Sequence, residues 1–383
     1  MTNYKHILTY GFAIFAMFFG SGNLVFPIII GHQSGGSWFF GFLGLFATGV
    51  ILPFLGLFVI KLHRGNYDNF FSEAGYLAKI IIPFFTLSLL GSFGVVPRCI
   101  TVAHGGINYL FPEFSLMQFA IIFSLFSFIF SIREQFMLKI LGKWMSPLLL
   151  IILSILIGYG VIIAPEDLRQ VSIEAAFSGG ILTGYQTMDL FAAFFFSALI
   201  FNQIQNAKLV PESELLKFAI KSSVIGSSLL GLIYMGLVYL GAHYSFLLIN
   251  IPPEHMLQAI AGHIMGSIAT LFLALAIIIS CLTTAIALNS IYARYLCKTF
   301  KLSEKRFPVI SFCTSLIAFA ISLLDFKAIA AFLAPSLEAS YPALIFLTLA
   351  SIFTKKYRKT KLYLFWGITI FMIIYMISVR GGF

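Results

Sequence analysis

The chain has 383 residues, of which 60% are hydrophobic and 10% charged, and its mean hydropathy is +0.99. Soluble domains carry about 25% charged residues, and no soluble fold could hide this much apolar surface, so most of the chain is expected to lie in lipid. The formal charge of +10 would suit nucleic acid only if the lysines and arginines gathered on one water-facing domain. They are dispersed, and no nucleic-acid partner is expected.

At the N-terminus, Lys5 precedes a stretch with no charged side chain from His6 through Ile60. It lacks a small-residue cleavage pattern, so it reads as two spans joined by the Gly31–Ser37 turn rather than as a signal peptide. A bilayer core takes ~20 helical residues. Apolar runs bounded by Gly, Pro and charged clusters then predict eleven spans: 7–30, 38–60, 80–109, 116–132, 144–163, 179–206, 218–243, 263–293, 308–324, 328–353 and 362–379. No strand-like alternation suggests a β-barrel. The loops on one side of this arrangement hold twenty of the 24 lysines and arginines; the other side holds Arg98, Arg169, Lys327 and Arg380. The positive-inside bias therefore predicts a cytoplasmic N-terminus and, with eleven spans, an external C-terminus.

Span 1 contains Phe19-Gly20-Ser21-Gly22-Asn23-Leu24 near its middle. Glycine and asparagine are poor helix formers, and unwound backbone persists in a membrane only against a cavity or a buried partner. A broken helix here would offer amides to a carboxylate and carbonyls to a cation. Close helix packing through small residues is the competing reading.

A second break is expected five spans later, in span 6, if the fold is an inverted repeat. Gly184-Tyr185-Gln186-Thr187-Met188-Asp189 is the more polar stretch. Counted from Lys208, however, Asp189 lies ~28 Å away at 1.5 Å per residue, near the outer edge of the core. The break is therefore expected at Phe195, Phe196 and Ser197, with Tyr185–Asp189 as an outer mouth. Arg98 falls at the same level by the same count, and an Arg98–Asp189 outer gate is expected; two separate interfacial charges are the alternative.

Span 8 places Ser280, Thr283 and Thr284 on one helical face, a hard-oxygen set suited to Na⁺. Such hydroxyls also bond back to the preceding turn. Glu338 sits mid-span between Pro335 and Pro342; an acid at that depth is costly, and it is either a coupling group or a buried acid satisfied by freed backbone. The four cysteines lack metal-ligand spacing and read as reduced packing residues. No nucleotide or catalytic motif is present, so neither an enzyme nor an ATPase subunit is implied.

Taken together, Phe18 to Pro27, Val96-Pro97-Arg98, Gly184 to Asp189, Cys281 to Thr284 and Leu333 to Tyr341-Pro342 resemble motifs of the branched-chain amino acid–cation symporters of bacteria. The resemblance covers residue 5 to about 354. It departs at Ala103-His104-Gly105 and in the span count, since twelve spans are usual. It implies one transporter domain over 1–383 with the leucine-transporter (LeuT) fold: an all-α polytopic protein of two inverted five-helix repeats, 7–163 and 179–354, plus a further helix at 362–379. Helices 1 and 6 would be broken. The substrate carboxylate would meet the amides of Ser21 and Gly22, and its amino group the span 1 carbonyls and the span 6 break near Phe195–Ser197, within a site that includes Gly20 and Asn23. Sodium would take carbonyls near Ala16, Phe19 and Ser280, with the hydroxyls of Thr283 and Thr284.

The expectation is a sodium symporter of the bacterial cytoplasmic (inner) membrane importing leucine, isoleucine or valine, with methionine as a further substrate. Proton coupling through Glu338, or a non-transporting sensor or scaffold on the same fold, are the alternatives. Oligomeric state is left open.

Overall fold

Lipid offers no hydrogen bonds to backbone N–H and C=O groups, so a chain this apolar must satisfy them within its own helices. The computed structural model describes residues 2–132, 146–206, 210–354 and 356–380, and every regular element among them is helical. Arg133, Lys139, Lys143, Lys208 and Lys355, which entered the charge count, lie outside the described residues, as do residues 144–145 of the fifth expected span.

In chain order the helices are α1 (Thr2–Phe18), α2 (Ser21–Ser34), α3 (Trp38–Phe46), α4 (Leu52–Leu62), α5 (Tyr76–Leu90), α6 (Val95–Asn108), α7 (Leu116–Ile132) and α8 (Ser146–Ile162). The second half contains α9 (Ile173–Thr187), α10 (Asp189–Asn206), α11 (Glu212–His243), α12 (Met256–Thr299), α13 (Phe307–Ser322), α14 (Phe326–Phe353) and α15 (Arg358–Arg380). Helices thus occupy all eleven expected segments. Among the described residues, seven helical stretches are long and apolar enough to cross a bilayer. The bent pair α9–α10 makes an eighth, and α7 and α8 are shorter apolar helices.

Close approach of backbones holds the bundle together, as expected where lipid removes the hydrophobic drive between helices. A Cβ on Gly44 of α3 would lie 2.2 Å from the Phe177 carbonyl oxygen of α9, and one on Gly184 would lie 1.8 Å from Thr48 Oγ1. Thr48 sits in a π turn, Ala47–Ile51, and also donates to the Ile181 carbonyl at 3.1 Å. On the outside, Ile370, Phe371, Ile374 and Ile377 of α15 are exposed, as suits a helix facing lipid.

The third span is broken at Gly91–Gly94, between α5 and α6. A buried polar network braces that break. Ser92 Oγ donates to the Thr314 carbonyl at 2.9 Å, and Thr314 Oγ1 donates to Asn289 Oδ1 at 2.6 Å. Asn289 Nδ2 in turn donates to Ser315 Oγ at 2.9 Å, so α12 and α13 hold the third span in place.

The sixth span corrects the expected geometry. Helix α10 runs unbroken through Phe195, Phe196 and Ser197, and the chain instead bends by 43° at Met188. The count from Lys208 failed because it assumed that the helix ends at the edge of the core. The span starts at Ile173 rather than at 179, with 15 residues before Met188 and 18 after it. Asp189 therefore lies at the middle of the span, not at an outer mouth.

Candidate functional site

Helix α1 stops at Phe18: the Phe19 N–H still closes on the Phe15 carbonyl at 2.9 Å, but the Gly20 amide turns away from its helical partner. The Gly20 N–H bonds to the Phe18 carbonyl at 2.8 Å and to Asn23 Oδ1 at 3.1 Å, rather than closing a turn on Ala16. Gly20 is extended (φ −115°, ψ −157°), and Ser21 opens α2 with no side-chain cap. The Ser21 and Gly22 amides are thus among the orphan donors at a helix N-terminus, where the helix dipole favours an anion.

The second break is made differently. Met188 takes a left-handed conformation (φ 62°, ψ 17°), which costs an L-residue about 1–2 kcal/mol. Strain of this kind collects at functional sites. It frees the C-terminal carbonyls of α9, and Arg98 reaches one of them, donating from Nη1 to the Gln186 carbonyl at 2.7 Å. Arg98 Nη2 lies 3.1 Å from Met188 Sδ, and its guanidinium stands 5.4 Å from the Phe26 ring centroid. The cation thus complements the negative end of α9. Arg98 is fully buried in the first turn of α6, where Pro97 is tolerated. It does not lie at the outer level, and the expected Arg98–Asp189 outer gate is not formed: Arg98 holds the backbone just before Asp189 instead.

The two breaks meet. Asn23 Nδ2 donates to Asp189 Oδ2 at 2.7 Å and to the Tyr234 hydroxyl, and Tyr234 OH donates to the same Oδ2 at 3.0 Å. Helices α2, α10 and α11 are therefore tied at one buried point, with Asn23, Asp189 and Tyr234 each at most 3% exposed. Nothing in the local sequence marks Tyr234, one of several polar residues along α11.

On the other flank of the first break, Ser280 Oγ donates to the Phe19 carbonyl at 2.7 Å. Thr283 Oγ1 bonds back to the Ser280 carbonyl at 2.6 Å, the local alternative anticipated for this face. Thr284 Oγ1 is buried with no hydrogen-bond partner among the described residues, and a Cβ on Gly20 would lie 3.0 Å from Thr284 Cγ2. A buried hydroxyl without a partner is costly and suits a site that takes a ligand.

A narrow cleft joins these features. Gly20, Gly22, Asn23, Thr187, Asp189 and Thr284 supply its polar wall, and Phe18, Leu90, Val95, Ala192, Phe196 and Leu288 its apolar wall. Of the three residues expected at the sixth-span break, Phe196 lines this cleft. Phe195 packs against Tyr67 at 5.1 Å between centroids, and Ser197 Oγ donates to the Leu57 carbonyl at 2.7 Å; both face away. Glu338 is half-buried on α14, which continues through both prolines, and it does not line the cleft. Tyr341 of α14 stacks instead on Phe191 and Tyr185.

Known proteins share both this fold and this sequence pattern. A manganese transporter variant from Eremococcus coleocola superposes with a TM-score of 0.58 at 15% identity, over 98% of this chain and 94% of that one. A Na⁺-coupled sialic acid symporter superposes at 0.57 and 12% identity, over 97% and 88%. The branched-chain amino acid transport system 3 carrier protein of Pseudomonas aeruginosa is 29% identical over 91% of this chain and 80% of its own length. A branched-chain amino acid permease of Lactobacillus delbrueckii subsp. lactis is 28% identical over 91% and 81%. The model of the family described as branched-chain amino acid transport protein matches residues 3–381. The chain is a multi-pass membrane protein and belongs to the branched-chain amino acid transport protein family.

Proposed function

We propose that the protein is a sodium-coupled symporter that imports leucine, isoleucine or valine by alternating access, with methionine as a further substrate. The observation that carries this reading is the meeting of two discontinuous helices at one cleft, with the N-terminal amides of α2 on one side and, on the other, a Thr284 hydroxyl that has no hydrogen-bond partner among the described residues. In this reading the substrate carboxylate binds the Ser21 and Gly22 amides. Its aliphatic side chain lies against Phe196, Val95 and Leu288, where burial contributes roughly 1.5–3 kcal/mol. Sodium takes the Phe19 and Ala16 carbonyls with the hydroxyls of Ser280 and Thr284, and Thr283 supports the set through its bond to Ser280.

The ion then sits against the end of α1 and the substrate against the start of α2, so each stabilises the conformation that the other needs. That is the differential binding that coupling requires. The two halves, 7–163 and 179–354, are inverted repeats in this account. The protein occupies the bacterial cytoplasmic membrane with its N-terminus inside and its C-terminus outside.

Uptake of labelled leucine into proteoliposomes, with and without an inward sodium gradient, tests the proposal. Gradient-dependent accumulation is expected. Accumulation driven equally well by a proton gradient without sodium would replace sodium by protons, and binding without uptake would favour a sensor.

A further inference from the structure

Asp189 carries more than a structural load. Both hydrogen bonds from Asn23 and Tyr234 fall on Oδ2, and Oδ1 accepts none among the described residues although Asp189 lines the cleft. The carboxylate is 3% exposed, and no cation lies within ion-pair distance of it among the described residues. Arg98 attracts Asp189 only from beyond that distance: its Nη1 and Nη2 turn to the Gln186 carbonyl and the Met188 sulfur, and its Nε has no partner among the described residues. The two donors to the carboxylate, Asn23 and Tyr234, are neutral, and a buried carboxylate ordinarily has a paired positive partner.

We propose that the free oxygen of Asp189 receives the α-ammonium group of the substrate. This rests on the cleft being the amino-acid site and adds a charged anchor to it. The placement suits an α-amino acid, whose ammonium and carboxylate are borne on one carbon. The α2 amides and Asp189 lie within one turn of each other, since Asn23 both belongs to the first turn of α2 and touches Asp189. Asn23 and Tyr234 saturate Oδ2 and hold the carboxylate in one rotamer, so Oδ1 is presented without further ordering. A sodium ion at this oxygen is the competing occupant. Its hard-oxygen partners, however, gather on the far flank of the break, at Phe19, Ser280 and Thr284.

The consequence is a strict demand for the amino group. 4-Methylpentanoate, which is leucine without its α-amino group, should bind at least ~100-fold more weakly than leucine, because the buried charge would be left unpaired. The test measures displacement of labelled leucine from purified protein by leucine and by 4-methylpentanoate, in wild type, Asp189→Asn and Asp189→Glu. In Asp189→Asn, leucine should weaken ~30-fold or more while 4-methylpentanoate holds or improves, so that the preference collapses. Asp189→Glu should retain the preference.

An undiminished preference in Asp189→Asn, or equal loss of both ligands, overturns the proposal while leaving the cleft as the substrate site. So does a variant that alters only the sodium concentration needed. Wild-type protein that binds no branched-chain amino acid overturns the site itself. Should Asp189→Asn not fold, wild type decides: a hydrophobic carbodiimide should modify Asp189, read by peptide mass spectrometry. Saturating leucine should slow that reaction, and 4-methylpentanoate at a concentration that displaces leucine should not. Equal protection by both contradicts the proposal.

Discussion

The Asn23 amide lies 2.7 Å from the Asp189 carboxylate, joining the first turn of α2 to the first turn of α10 across 166 positions of sequence. Both residues sit immediately after a helix break, and each break is exposed to the other. The same Asn23 side chain accepts the Gly20 N–H, so one amide group fixes the unwound backbone of the first span and the charge of the sixth.

Asn23→Ala removes both functions at once. It leaves the Gly20 N–H and a buried carboxylate short of a partner, and hydrogen bonds to charged groups are worth about 1.5–3 kcal/mol. Leucine uptake should fall roughly 10- to 100-fold in a variant that still purifies as folded protein. Tyr234→Phe, which leaves Asn23 in place, should show a smaller loss. Initial-rate uptake at matched protein density checks the ranking.

Gly20→Ala tests the ion side of the first break. The backbone there tolerates an L-residue, but the new methyl would press on Thr284 at 3.0 Å. The sodium concentration for half-maximal uptake should rise about tenfold, with little change in thermal stability. An unchanged sodium requirement would separate Thr284 from the ion site.

Phe196 and Phe195 are neighbours in sequence with opposite surroundings, cleft and protein interior. Phe196→Ala should widen the cleft and raise methionine uptake relative to valine. Phe195→Ala should leave that ratio alone and cost about 3–5 kcal/mol of stability, as for other buried Phe→Ala changes. Competition uptake and thermal unfolding distinguish the two.

Away from the cleft, Glu73 ties the segment between α4 and α5 to α15. Its carboxylate takes bonds from Lys361 Nζ at 2.5 Å, Ser351 Oγ at 2.5 Å and His63 Nε2 at 2.9 Å. Burial pushes the Glu73 pKa up, but the bonds from His63, Lys361 and Ser351 outweigh it and hold it down to about 2. Burial likewise lowers the pKa of His63, and its bonds to Glu73 and the Val59 carbonyl outweigh that and raise it.

The signs differ for the two groups. The Glu73 contribution is full above its usual 4.5 and is lost as pH falls towards about 2. The His63 contribution is full below its usual 6.5 and is lost as pH rises through its raised value. The melting-temperature deficit of Glu73→Gln should therefore be largest between pH 4.5 and 6.5 and should shrink on either side. A deficit independent of pH would mean that packing alone holds this junction.

Much of the span pattern and of the first break is legible in the sequence, and the rest fails for separate physical reasons. The span pattern and the Gly20–Gly22 break came from composition and helix propensity, which act locally. The sixth-span break was misplaced because depth was measured from a charged residue as though the helix ended at the membrane surface. The polar stretch ending at Asp189 was the better signal. The break at Gly91–Gly94 carried two glycines three positions apart, close to the pattern in the first span, and went unread. Tyr234 lacked any local mark: its role depends on where α11 crosses the two breaks, a tertiary fact that helix periodicity does not encode.

The most direct test of the central claim is leucine-driven entry of labelled sodium into proteoliposomes held at zero membrane potential and equal pH on both sides. An inward leucine gradient should carry sodium in with it, and Thr284→Ala should lower that sodium flux at least tenfold. Leucine entering without any movement of sodium would contradict the account.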